Sequence, residues 1–242
     1  MFHLRDTNNQ LTLQLHIISS PFWQLGNISD KQVLHQSLHT SRLVMSVPLS
    51  VLWTQFFPLR GPLTESNLPR QDDKVFIVTG GSSGLGYELS RILYGAGGKV
   101  YILTRSKANA DAAIARIKAH YQGQEDSRQC GNLEFIYMDL QEFSTIKAAV
   151  QEFLQSQGPE GRLDVLFNNA GTGGRKNAPA GRQGHEYHMT INALGGFLLT
   201  RLLTSILSKT ALSTSTCGSV RVVWPASLLV DTTSPKSGIR KD

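Results

Sequence analysis

The chain has 242 residues, 40% of them hydrophobic and 17% charged, which suits a globular protein of one domain with appendages and excludes disorder throughout. Its formal net charge of +6 is dispersed: five Lys/Arg face three Asp/Glu in residues 1–70, and 19 face 15 in the rest. No basic stripe interleaved with aromatic residues emerges, so no nucleic acid partner is expected.

Residues 1–44 read as an extension. Residues 1–40 are rich in Gln, Asn, Ser and His, follow neither the helical nor the strand period, and are assigned no stable structure. Leu11–Ile18 is interrupted by Thr12, Gln14 and His16 and lacks the apolar core of a secretory signal. The run 43–57 is more apolar but is broken by Ser46, Pro48, Ser50, Thr54 and Gln55. It is also shorter than the roughly 20 residues of a bilayer span. It reads as a segment lying on the domain or on a membrane surface. Pro58, Gly61, Pro62 and Pro69 then make a linker, and the ordered domain is expected over 71–242.

From Lys74 the pattern alternates. Val75–Val78 is a short apolar run of buried-strand type, and 87–94 carries Leu89, Ile92 and Leu93 at helical spacing before Gly95-Ala96-Gly97-Gly98 stops it. Residues 100–103 form a second strand, 108–121 a helix and 133–138 a third strand. Ser144 is placed to cap a helix whose inward face holds Ile146, Ala149, Val150, Phe153 and Leu154. Residues 163–167 give a fourth strand, a long helix follows from about Glu186, and 220–224 is a fifth strand. The alternation predicts a doubly wound parallel α/β sheet with right-handed crossovers.

Between the first strand and first helix, Thr79-Gly80-Gly81-Ser82-Ser83-Gly84-Leu85-Gly86 is a glycine turn that lets backbone amides approach a pyrophosphate at a helix N-terminus. Alone, such a turn is often a plain loop. Thr104 and Arg105 end the second strand, where a carboxylate would select NAD; Arg105 can pair with a 2′-phosphate instead, or begin a solvated loop with Lys107. Asp139-Leu140 closes the third strand, where a carboxylate can accept from an adenine amino group. Asn168-Asn169-Ala170-Gly171 closes the fourth, at the sheet edge where such folds bind ligands, though a structural turn explains it equally well in isolation. Cys130 and Cys217 are isolated from each other and from any His cluster, so no metal site or disulfide is expected and a reducing, cytoplasmic setting is.

Taken together, the glycine turn, Asp139-Leu140 and Asn168-Asn169-Ala170-Gly171 resemble the short-chain dehydrogenase/reductase superfamily over about 74–230, closest in flavour to its retinol-dehydrogenase-like and fungal metabolic members. The resemblance implies a Rossmann fold and NADP(H) as cofactor, held by Gly80, Ser82, Ser83, Gly84, Leu85, Gly86, Thr104, Arg105, Asp139, Leu140, Asn169, Ala170 and Gly171. It implies interconversion of an alcohol and a carbonyl on a small lipophilic metabolite. It assigns Asn192 to holding a water in the proton relay and Ser227 to bonding the substrate oxygen, and it implies pairing of two copies through the helix bearing Asn192.

The family's tyrosine, followed four residues later by lysine, has no match. Tyr87, Tyr94, Tyr101, Tyr121, Tyr137 and Tyr187 are followed four places on by Arg91, Gly98, Arg105, Glu125, Gln141 and Ile191. A chain truncated before that motif, with its fifth strand left as an open edge, is the resulting expectation, and weak or no turnover follows. The alternative reading is a non-catalytic nucleotide-binding or interaction module, or a truncated gene product.

Overall fold

The computed structural model describes residues 2–7, 10–14, 18–19, 53, 56–57, 61, 63–122, 130–173 and 177–227. The chain forms two compact units, Met1–His16 with Leu63–Trp224, and Ile17–Pro62 with Pro225–Asp242. Three short strands come first: β1 (Phe2–Thr7), β2 (Gln10–Gln14) and β3 (Ile18–Ser19). They fall in the stretch read from sequence as irregular; the remainder of 1–44 lies outside the described residues.

The core sheet consists of β4 (Val75–Thr79), β5 (Lys99–Thr104), β6 (Asn132–Tyr137), β7 (Val165–Phe167) and β8 (Arg221–Val223). All five are parallel, in the order β8-β7-β4-β5-β6. This is the doubly wound order, and the chain reverses its winding at β4, which has β5 on one side and β7 on the other. The edge expected to stay open on β8 is paired antiparallel with β1, Phe2 opposite Val222, and β1 pairs in turn with β2.

The apolar run of β4 serves both faces because successive side chains alternate. Val75 and Ile77 point to the side where Ile146, Ala149 and Phe153 of α3 (Phe143–Gln157) pack with Leu199, Leu203 and Leu207 of α4 (Tyr187–Ser213). Phe76 and Val78 point to the other, against Leu93 of α1 (Gly84–Gly95) and Ile117 of α2 (Lys107–Tyr121). Burying each such aliphatic side chain stabilises by about 1.5–3 kcal/mol. Helix α4 is long and apolar enough to cross a membrane, but Leu199 and Leu203 are fully buried, which marks it as a core helix.

Several boundaries differ from the sequence reading. Helix α3 starts at Phe143 with Glu142 in the capping position; Ser144 lies inside the first turn and donates to the Glu142 carboxylate (2.9 Å), so it is not the cap. Helix α2 starts at Lys107, because the Ser106 hydroxyl accepts from the Asn109 amide (3.2 Å). The fourth strand loses its first two residues because Asp164, 1% exposed, accepts from the Val75 amide (2.9 Å) and pairs with Arg162 (2.6 Å). Upstream, Arg91 grips both oxygens of Glu65 (2.6 and 2.9 Å) and ties the segment before β4 to α1.

Candidate functional site

The carboxyl ends of β4, β5, β6 and β7 open into a cleft of about 500 Å³ at the winding reversal. Ligands in open α/β sheets bind at this point, because the loops leaving β4 and β7 diverge to opposite faces there.

Thr79, the last residue of β4, is buried and fastens the two loops together. Its hydroxyl accepts from the Ala170 amide (2.8 Å) and reaches the Phe167 carbonyl (3.3 Å), while Asn169 Nδ2 donates to its carbonyl (3.1 Å). The loops approach so closely that a Cβ on Gly80 would stand 3.2 Å from Ala170 Cα. A Cβ on Gly86 would fall on the Gly80 carbonyl and Asn169 Nδ2, so no side chain fits there. Gly84 has open space around it but a φ of +54°, which side-chain-bearing residues rarely adopt. Gly84 and Gly86 therefore shape the loop from outside the cleft. Gly80, Ser82, Ser83 and Leu85 line it.

At the start of α1, Ser83 occupies the capping position without a side-chain hydrogen bond to the helix. The amides of the first turn, with the positive end of the helix dipole, are thus left for an anion. Thr104, Arg105, Ser106 and Asn109 form the wall beyond β5. Arg105 is exposed and, among the described residues, makes no hydrogen bond or ion pair.

Asp139 and Leu140 line the next wall, with Gln141. One Asp139 carboxylate oxygen accepts from the Gln141 amide (2.9 Å), and the Thr145 hydroxyl accepts from the Asp139 amide (3.0 Å), fixing the turn. Leu140 packs where a Cβ on Gly195 would come within 2.9 Å, so its side chain wedges against α4. Asn169, Ala170, Gly171 and Thr172 complete the floor, with Tyr187 and Ile191 of α4 at the far end.

Helix α4 contains a π-helical stretch, Thr190–Gly195, in which Asn192 sits. The Asn192 amide meets both backbone groups of Thr172: Oδ1 accepts from its N–H (2.8 Å) and Nδ2 donates to its carbonyl (2.9 Å). Asn192 thus pins the loop after β7 without itself lining the cleft. Asn168 Nδ2 donates to the Thr200 hydroxyl (3.0 Å), and its buried Oδ1 has no partner among the described residues. Ser227 follows the short strand β9 (Pro225–Ala226), which pairs with β3, and is exposed within the second unit. All cleft residues belong to the first.

Of the thirteen residues proposed from sequence for a cofactor, eleven line the cleft and Gly84 and Gly86 do not; neither of the two proposed as catalytic, Asn192 and Ser227, lines it. Sequence reasoning missed Ser106, Asn109, Thr172, Tyr187 and Ile191. Reading Ser106 as a helix cap, with Asn109 three residues on, would have found the first two.

A family model described as short chain dehydrogenase matches residues 74–216. A short-chain dehydrogenase/reductase of Phomopsis amygdali is 46% identical over 179 residues, 74% of this chain and 51% of that protein. A polyprenol dehydrogenase of Danio rerio is 38% identical over 181 residues, again 74% and 51%. Among solved structures, the Pseudomonas aeruginosa RhlG/NADP active-site complex aligns with a TM-score of 0.47 and 26% identity over 58% of this chain and 50% of that one. The chain spans about half the length of the curated relatives it matches.

Proposed function

The chain belongs to the short chain dehydrogenase family, and from that premise we propose that its first unit binds NADP(H) in the cleft at the ends of β4 to β7. The observation that carries this reading is Arg105: a cation without a partner among the described residues, on the cleft wall where a carboxylate would select the unphosphorylated cofactor. The pocket fits a dinucleotide in other respects. The first turn of α1 and Ser83 face the position of a pyrophosphate, and the missing Cβ of Gly86 permits the loop closure that aims them. Asp139 accepts from an adenine amino group through the carboxylate oxygen that Gln141 does not use. The packed Ala170-Gly171 floor lies against a nucleoside.

When bound, the nicotinamide supplies a hydride acceptor or donor for an alcohol–carbonyl pair. Asn192 holds the cofactor-side loop in register through Thr172 and, by family, a water of the proton relay; the substrate, by family, is a small lipophilic alcohol or carbonyl compound. No tyrosine of residues 1–242 is followed four places on by lysine. A polypeptide of these residues accordingly binds cofactor but transfers the proton poorly, a deficit of about 10²-fold or more.

Calorimetric titration of Arg105→Asp tests the assignment. NADPH binding weakens by about 30-fold or more, as expected for a lost charge-assisted contact, and NADH binding does not weaken. Unchanged NADPH affinity would reject Arg105 as the phosphate contact.

A further inference from the structure

The second unit carries a feature that dinucleotide binding does not use. Trp53 and Phe56 are helical, and the amide of Phe57 donates to the carbonyl of Trp53 (2.8 Å), the bond of one helical turn. Positions 53, 56 and 57 stand at i, i+3 and i+4 and so share one face. All three rings face solvent, at 63%, 64% and 62% exposure, with the Trp53 and Phe57 centroids 4.4 Å apart. Isolated apolar residues on a surface are ordinary; three exposed aromatic rings on one turn, two of them in contact, make an apolar face.

The charge of the surrounding sequence points to the occupant. Between Asp30 and Glu65 there is no acidic residue, while Lys31, Arg42 and Arg60 are basic. Ten of the fifteen residues from 43 to 57 are Leu, Val, Met, Trp or Phe. Aromatic rings next to polar groups favour the headgroup level of a bilayer, and scattered cations add attraction to anionic lipid that decays within a Debye length. Ser46, Pro48, Ser50, Thr54 and Gln55 make a spanning helix unfavourable.

We propose that the Trp53, Phe56 and Phe57 face docks this chain on the surface of an anionic lipid bilayer. The rings enter the boundary between headgroups and acyl chains, and the net positive charge of the sequence around them adds attraction to the anionic surface. This goes beyond the cofactor reading and does not depend on it.

The test is flotation of the full chain with vesicles of phosphatidylcholine alone and of phosphatidylcholine with phosphatidylserine. The chain is expected to float with the mixed vesicles, less with the neutral ones, and less again at high salt. W53S/F57S should lower the partition coefficient by about tenfold or more, because it removes two of the three rings. W53F/F57L, which keeps apolar side chains at both positions, should retain most of it. The proposal is overturned if the chain stays unfloated with mixed vesicles, or if W53S/F57S floats as well as the parent. A parent that elutes as a dimer, becomes monomeric in W53S/F57S and ignores lipid would show that the face meets a second copy instead. None of these readouts uses the cofactor, so failure here leaves the dinucleotide site standing.

Discussion

At the scale of single residues, the proposed cofactor site is a matter of what is left out. Gly86 has no room for a methyl group, since the Gly80 carbonyl and the Asn169 amide occupy the space. Gly86→Ala should therefore separate the loops after β4 and β7, weaken NADPH binding by about tenfold or more and lower stability by about 1–3 kcal/mol, read by titration and by urea unfolding. Retained affinity in a folded G86A protein would contradict the close approach. Arg105 was legible in the sequence because its place at the end of a strand follows from the apolar run before it. Thr172, Tyr187 and Ile191 were not: they reach the cleft only because the Asn192 amide pairs with Thr172 and because α4 crosses the ends of the strands, which no local pattern encodes.

At the scale of elements, α4 joins the core to the site, and its start is set electrostatically. Glu186 caps it, accepting from the Met189 amide (2.6 Å) and lying 2.8 Å from His188 Nδ1. The backbone amides of His188 and Met189, then the His188 ring, hold its carboxyl down to about 2, below the usual 4.5. A carboxylate depressed in the folded state stabilises above its unfolded value of 4.5 and loses that contribution as pH falls through about 2. Glu186→Gln should consequently lower the urea midpoint at neutral pH, and the two proteins should converge as pH approaches 2; a constant difference would show that Glu186 acts by shape alone.

The same helix separates burial from mere hydrophobicity. Leu203 is fully buried and Leu212 is 85% exposed. Leu203→Ala should cost about 3 kcal/mol and Leu212→Ala about 0.5 kcal/mol or less by urea unfolding; equal effects would contradict the placement of α4 in the core. Helix spacing made its existence predictable. The π-helical stretch at Thr190–Gly195 was invisible, because it answers to Leu140 packing beside Gly195 and to the Thr172 clasp, both distant in sequence.

At the scale of the whole molecule, the strand order followed from the alternation of apolar runs with helical patterns, since parallel units wound from one strand leave few topologies. Residues beyond that alternation were less readable: β1 takes the edge of β8, and β9 pairs with β3, through backbone bonds that composition does not announce. The chain carries a glycine turn, a wall beyond β5 and a loop clasp around one cleft, and none of its tyrosines is followed four places on by lysine. Cofactor binding is the central claim, ahead of turnover. Isothermal titration of the 242-residue chain with NADPH and with NADH tests it most directly. A single NADPH site at least about tenfold tighter than that for NADH is expected, a preference that Arg105→Asp abolishes; a folded chain that binds neither, or both equally, would contradict NADP(H) binding in this cleft.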